Sequence, residues 1–136
     1  MGHSNAAISA IIERFRGLEL DAHYFAFFEC FNQGLYFEAH EVLEEIWLPQ
    51  RKEADGLFLK GLIQLAGAFV HLQKGRNGPA GALLGLARTN LERYRPRHHR
   101  LNVARVVEQV HHWRDELIHR GVNPLQSNAR PEVRLD

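Results

Sequence analysis

The sequence predicts an all-α protein, a compact antiparallel bundle of four to six helices. Helical periodicity recurs along most of the chain, whereas the strict alternation of a β-strand is almost absent. Glycine, proline or a polar turn separates successive periodic segments, and the connections between them are short. Short connections favour antiparallel neighbours, because a helix that turns back after a few residues packs against the helix before it.

The first helix is predicted from Asn5 to Arg16, with its isoleucines on one face and Gly17 at its end. The second begins at Asp21, whose side chain can cap it, and ends in the turn at residues 32–34. Its aromatic side chains are too many for one exposed face, so we expect this helix to be central. These side chains are Tyr24, Phe25, Phe27, Phe28 and Phe31.

The third helix is predicted from Leu35 to about Leu48, with Pro49 just past its end. Asp55 is expected to cap a fourth helix, which runs to Gly75. Proline, aspartate and glycine therefore set the ends of these two helices.

The fifth helix is predicted from Pro79 to about Tyr94, since proline is tolerated in a first helical turn. After Pro96 interrupts the chain, the sixth helix runs from Leu101 to Arg120. We therefore expect one helical-bundle domain over residues 1–121. The tail at 122–136 has no periodicity and is expected to be extended or disordered.

The composition is that of a soluble globular protein with a single domain. The 136 residues suffice for one hydrophobic core, and no apolar run reaches the roughly 20 residues that a membrane helix needs. Cys30 is the single cysteine and no secretory signal is visible, so we expect a cytoplasmic protein that does not bind membranes. With 17 basic residues against 16 acidic ones, no overall field attracts nucleic acid.

Ionisable residues among core-type residues are the most informative feature of the third and fourth helices. On the third helix, His40, Glu44 and Trp47 lie along one stripe. On the fourth, Gln64 and His71 lie two turns apart in a stripe of small residues. Ionisable groups are rarely buried without a partner, so we expect the two stripes to face each other as a buried hydrogen-bonded network.

The motifs of this region resemble one family. They are Phe31-Asn32, Gly34, Tyr36, Glu38-Ala39-His40-Glu41, Leu43-Glu44, Trp47, Phe58, Gly61-Leu62-Ile63-Gln64, His71, Asn77 and Gly81-Ala82. In this order they resemble the small prokaryotic family catalogued as domain of unknown function 309, over about residues 25–95. The resemblance implies a compact all-helical domain and no particular activity. It also singles out the positions that match the family's motif, which are His40, Glu41, Glu44, Trp47, Gln64, His71 and Asn77.

A non-catalytic binding or scaffold module is the first functional hypothesis. The polar cluster would then specify the packing, and a groove would receive a protein partner. The predicted hairpin at 22–48 is similar to a single tetratricopeptide-type hairpin, a unit that builds peptide-binding grooves in repeated arrays. The aromatic residues at 21–31 and the apolar stripe of the last helix also favour a homodimer, because a small bundle buries only a limited apolar surface.

A metal-dependent enzyme, such as a hydrolase with a divalent metal cofactor, is the alternative. His40 and Glu41 begin the zinc-protease pattern H-E-x-x-H, but Glu44 stands where the second histidine belongs. His40, Glu44 and His71 could still supply three metal ligands, with Glu41 as the catalytic general base. The sequence leaves open whether the chain is an enzyme.

Phosphate or nucleic-acid binding through a basic loop is a lesser alternative. Arg93, Arg95, Arg97 and Arg100 surround Tyr94, and arginines with an interleaved aromatic ring suit phosphate contacts and base stacking. Acidic residues elsewhere cancel this charge, and no nucleic-acid-binding motif accompanies the loop. We therefore expect no nucleic-acid partner.

Overall fold

The computed structural model describes residues 6–14, 20–126 and 130–136, and the regular secondary structure within them is helical apart from one small hairpin. The six helices are α1 Ala6–Arg14, α2 Ala22–Asn32, α3 Tyr36–Gln50, α4 Gly56–Gln73, α5 Asn77–Glu92 and α6 Val103–Arg120. Strands β1 (Arg97–His98) and β2 (Leu101–Asn102) pair antiparallel before α6, and a 3₁₀ turn, Pro124–Gln126, follows it. The predicted all-α class is confirmed. Residues 15–17, where the first helix was predicted to end, lie outside the described residues.

Helices that follow one another in the chain pack against one another, from α1 on α2 to α5 on α6. The α3–α4 pair is antiparallel: Lys60, near the start of α4, lies over the ring of Trp47, near the end of α3. At the opposite end, Gln73 of α4 donates a hydrogen bond to the carbonyl of Gly34, just before α3. The predicted helical bundle is therefore the architecture of the described chain.

The core is built on the aromatic side chains of α2, whose exposure is at most 8%. Phe31 packs edge-on against Tyr36 of α3 and Phe69 of α4, with ring centroids 5.0 and 5.2 Å apart. Such edge-to-face pairs add to the stabilisation that burial alone provides. Because these rings are buried within one chain, they do not form an exposed face for a second copy, and the homodimer stays a prediction.

Some of the helices begin or end at the residues that the sequence predicts to cap or stop them. The Asp21 side chain accepts a hydrogen bond from the backbone N–H of His23 and caps α2, and Gly121 ends α6 in the left-handed conformation. In contrast, α3 continues through Pro49 into its last turn. Asp55 occupies the N-cap position of α4, but its side chain makes no capping hydrogen bond because the carboxylate is engaged elsewhere.

By length and composition alone, α4 passes the test for a membrane-spanning helix. The sequence prediction that no run approaches this length did not anticipate this result. In the structure, 67% of the helix is buried inside the bundle, as is common for the core helix of a soluble protein. Its apolar composition therefore has an explanation in the core.

The described end of the tail, residues 130–136, is irregular apart from one bridge residue, and it packs on the bundle. The Asn32 amide donates to the carbonyl of Val133 at 3.0 Å and accepts from its N–H at 2.8 Å. Leu135 forms an isolated bridge with Leu101 of β2. These contacts attach the tail to the end of α2 and to the hairpin.

Candidate functional site

The polar residues of α3 lie along its contact with α4. We call this group the seam: His40, Glu41, Glu44 and Trp47 of α3 with Gln64 and His71 of α4. A Cβ built on Gly67 of α4 would lie 3.8 Å from the His40 ring, and the Lys60 ammonium lies 4.5 Å from the centre of the Trp47 ring. Helical spacing places Glu44 on the same face of α3 as His40 and Trp47. The α3 stripe therefore lies against α4, whereas Gly61 and Gln64 of the predicted α4 stripe contact α5.

Three side chains of α3 converge in the middle of the seam. His40, Glu41 and Glu44 each offer one ligand atom, and these atoms lie within 4.8 Å of one another. The Nδ1 atom of His40 is 3.4 Å from a carboxylate oxygen of Glu41. An imidazole nitrogen with two carboxylate oxygens is a donor set that divalent metal ions accept in proteins.

Gln64 has a partner that the sequence does not predict. Its side-chain oxygen accepts a hydrogen bond of 2.8 Å from the amide of Asn90 on α5. No hydrogen bond joins Gln64 to His40 or Glu44 in the described chain. Asn90 lies 26 residues further along the chain, so no local spacing points to the pair.

Two ring nitrogens in the seam lack a hydrogen-bond partner. Within the described residues, Nδ1 of His40 and Nδ1 of His71 are buried and unsatisfied. Glu41 approaches His40 at an ion-pair distance but without the geometry of a hydrogen bond. Other buried polar side chains of the described residues have partners, as at Asn123, whose amide bonds to backbone atoms through both its nitrogen and its oxygen. The predicted buried hydrogen-bonded network is therefore not formed at these two ring nitrogens.

The predicted metal ligands His40, Glu44 and His71 do not form one group, because Glu41 takes the third place instead of His71. Glu41 was the predicted general base. A carboxylate that binds a metal ion is not free to accept a proton, so Glu41 would not be the general base of a site in which it is itself a ligand. Asn77, the remaining predicted site residue, is exposed at the first position of α5.

One comparison with known proteins identifies the region that contains the seam. The model of the family described as domain of unknown function (DUF309) matches residues 24–83. This stretch of the chain is similar to DUF309. This match confirms the resemblance, and it contains every residue of the seam. Comparison with curated proteins and with solved structures found no significant match.

The predicted basic patch follows the DUF309 match in the chain. Arg95 pairs with a glutamate of α5 at 3.0 Å, and Arg97 pairs with the carboxylate of Asp136. Arg100 donates two hydrogen bonds to the backbone oxygen of Asp136. Arg93 is exposed at the end of α5. Three of the four guanidinium groups are thus engaged within the chain, which leaves fewer donors for a phosphate.

A second cluster, here called the hairpin cluster, consists of Asp55, His98 and His99. Nε2 of His98 lies 2.8 Å from one Asp55 carboxylate oxygen, and Nε2 of His99 lies 2.5 Å from the other. Burial raises the pKa of Asp55, but hydrogen bonds from His99 and His98 outweigh it and hold that pKa below its usual range.

Sequence reasoning misses the hairpin cluster because its members have other local interpretations. Asp55, inside the DUF309 match, is expected to cap a helix. His98 and His99, outside the match, belong to the loop interpreted as basic. His98 and His99 lie 43 and 44 residues from Asp55 in the chain. Only the packing of the hairpin against the start of α4 brings the three residues together.

Proposed function

We propose that the DUF309-like region is a non-catalytic binding module and that the seam receives a cationic group. The supporting observation is the pair of buried Nδ1 atoms, in His40 and His71, that no described group satisfies. A buried polar atom without a partner costs about 1–3 kcal/mol. Gln64, on the same helix as His71, accepts a hydrogen bond from Asn90 of α5. The packing of this region therefore does not prevent side-chain hydrogen bonds. A ligand from outside the chain accounts for the two open nitrogens.

The chemistry of the seam favours a cation over an anion. Glu41 and Glu44 are carboxylates, and a neutral imidazole with its proton on Nε2 offers Nδ1 as an acceptor. A positive group that donates or coordinates complements this set, whether a metal ion or the ammonium or guanidinium of a partner protein. At one end of the seam, Trp47 already holds the Lys60 ammonium in a cation–π contact.

A divalent metal ion is the second, more specific candidate. It is favoured because the ligand atoms of His40, Glu41 and Glu44 lie within 4.8 Å of one another, a separation that one ion spans. The side chains of His40 and Glu41 are 30% and 33% exposed, although Nδ1 of His40 itself is buried. We propose no reaction for this ion, since Glu41 would be a ligand.

A titration distinguishes the sources of the cation. The chain without an affinity tag is titrated with Zn²⁺ and separately with N-acetyl-argininamide, while the ring signals of His40 and His71 are followed by NMR. We expect Zn²⁺ to shift the His40 signals, and Glu44→Gln to weaken this binding at least about tenfold through loss of a ligand charge. If argininamide shifts these signals and Zn²⁺ does not, a protein partner is the favoured source of the cation.

The matched control is Glu45→Gln, which changes an exposed carboxylate next to Glu44 on the same helix. We expect it to leave binding unchanged. If neither probe affects His40, or if Glu45→Gln weakens binding as much as Glu44→Gln, the seam is not a cation site.

We also propose a cytoplasmic location, which the state of Cys30 supports. The thiol is free and buried, and burial raises its pKa to about 11. A thiol of this kind stays protonated near neutral pH and acts as a small hydrophobic side chain.

A second copy of the chain, as in the predicted homodimer, would be one source of the basic side chain that the seam accepts.

A further inference from the structure

The hairpin cluster brings two imidazoles and one carboxylate together from distant parts of the chain. His98 belongs to β1, His99 begins the turn between the strands, and Asp55 stands just before α4. Both Nε2 atoms face the same carboxylate, and the three ligand atoms lie within 4.8 Å of one another. Two histidines and a carboxylate form a ligand set that zinc and non-haem iron use in proteins.

Backbone contacts position the histidines independently of their rings. The Tyr24 hydroxyl donates to the carbonyl oxygen of His99 at 2.9 Å, and β1 pairs with β2 across the turn. His99 and Arg100 both have left-handed backbone, with φ of 46° and 63°. Each such residue costs roughly 1–2 kcal/mol when it is not glycine. The fold thus maintains a strained turn that directs both rings toward Asp55, and strain of this kind concentrates at functional sites.

Asp55 does not perform the role that its position predicts. An aspartate at an N-cap usually accepts a hydrogen bond from the first turn of the helix, a contact worth about 1 kcal/mol. Its side chain makes no such bond here, and only its backbone oxygen accepts the N–H of Leu59. The carboxylate faces the two histidines instead. The structure therefore uses Asp55 for the cluster in preference to the helix end.

The cluster is open on one side. A cavity of about 110 Å³ adjoins Asp55 and His99 and is also lined by Gln50. This volume has room for water, which needs polar partners such as these. On another side, the His98 ring packs against Phe58, with centroids 4.7 Å apart. One coordination position can therefore be filled from the cavity while the rings stay fixed.

We propose that the hairpin cluster binds one divalent transition-metal ion of the zinc class. Its ligands are Nε2 of His98, Nε2 of His99 and a carboxylate oxygen of Asp55, with a water from the cavity as the fourth. Metal–ligand bonds of about 2.0–2.1 Å at tetrahedral angles separate ligand atoms by roughly 3.3 Å. The present separations of 2.8 and 2.5 Å need to widen by less than about 1 Å as the ion takes the place of the Nε2–H groups, with each neutral imidazole then carrying its proton on Nδ1. The ion joins the start of α4 to the hairpin.

Zinc titration of the full, tag-free chain tests the proposal, after removal of bound metal by a chelator. We expect calorimetry to find a site that Asp55→Asn and His98→Gln each weaken at least about tenfold. The matched control His112→Gln changes an exposed histidine of α6 and should bind zinc as the wild type does. Zinc should also raise the Tm of the wild type and of this control more than it raises that of Asp55→Asn.

The seam variant Glu44→Gln separates the two proposed sites, because zinc binding at the hairpin should persist in it. Binding that disappears in Glu44→Gln and persists in His98→Gln overturns the hairpin site and leaves the seam proposal intact. A wild-type Tm that zinc does not raise also overturns it. If Asp55→Asn does not fold, His98→Gln decides, since it leaves Asp55 paired with His99.

Discussion

The seam and the hairpin cluster contain the same kinds of side chain, imidazoles and carboxylates, but they differ in how these groups are hydrogen-bonded. In the seam, His40, Glu41 and Glu44 are neighbours on one helix, and Nδ1 of His40 has no hydrogen-bond partner. In the hairpin cluster, groups far apart in the chain meet, and both ring nitrogens that face Asp55 are paired with it. Helical spacing brings groups close without satisfying them, whereas a long-range contact does both.

The difference has a consequence for binding at each cluster. At the hairpin, an ion replaces bonds that already exist, so its main effect is to tighten a junction of the fold. At the seam, a cation supplies partners that the chain does not offer. We therefore expect substitutions at the hairpin to change stability most, and substitutions at the seam to change ligand binding most.

The largest effect is expected from Asp55→Asn in metal-free buffer. It removes the charge that both imidazoles face, and hydrogen bonds to charged groups contribute about 1.5–3 kcal/mol each. We predict that the free energy of unfolding falls by about 2–3 kcal/mol in urea denaturation. Glu53→Gln, an exposed change in the same turn, is the control and should stay within about 0.5 kcal/mol of the wild type. A loss at Asp55 no larger than this would show that the hairpin cluster does not hold the fold.

A smaller change in stability is expected from alanine substitutions at two glycines of α4. A Cβ at Gly61 would lie 2.9 Å from the buried Leu91 side chain, so Gly61→Ala should lower stability by about 1–3 kcal/mol. A Cβ at Gly67 meets Leu83 at 3.4 Å and His40 at 3.8 Å, close to ordinary contact. Gly67→Ala should therefore gain up to about 1 kcal/mol from helix propensity.

Thermal unfolding measures both glycine variants. Opposite signs would show that α4 is packed tightly at Gly61 and more loosely at Gly67, which lies between Leu83 of α5 and His40 of the seam. If Gly67→Ala destabilised the chain as much as Gly61→Ala, α4 would be close-packed at Gly67 as well.

Sequence periodicity predicts the helices because helices form from local spacing, and caps such as Asp21 and Gly121 are local as well. The same spacing places His40 at the seam. The partner of Gln64 cannot be predicted in this way, since it depends on how α4 and α5 are aligned. Asp55 shows the limit most clearly: its local pattern predicts a cap, and a contact with a hairpin more than 40 residues away overrides that role.

The claim that the seam awaits a ligand is tested most directly by two substitutions on α4, each measured by thermal unfolding in metal-free buffer. His71→Phe removes an unsatisfied buried nitrogen, and we predict stability unchanged or raised by about 1 kcal/mol. Gln64→Leu deprives Asn90 of its acceptor, and we predict a loss of about 1–2 kcal/mol. A loss in His71→Phe as large as that in Gln64→Leu would contradict the claim, because it would show that His71 is already satisfied in the folded chain.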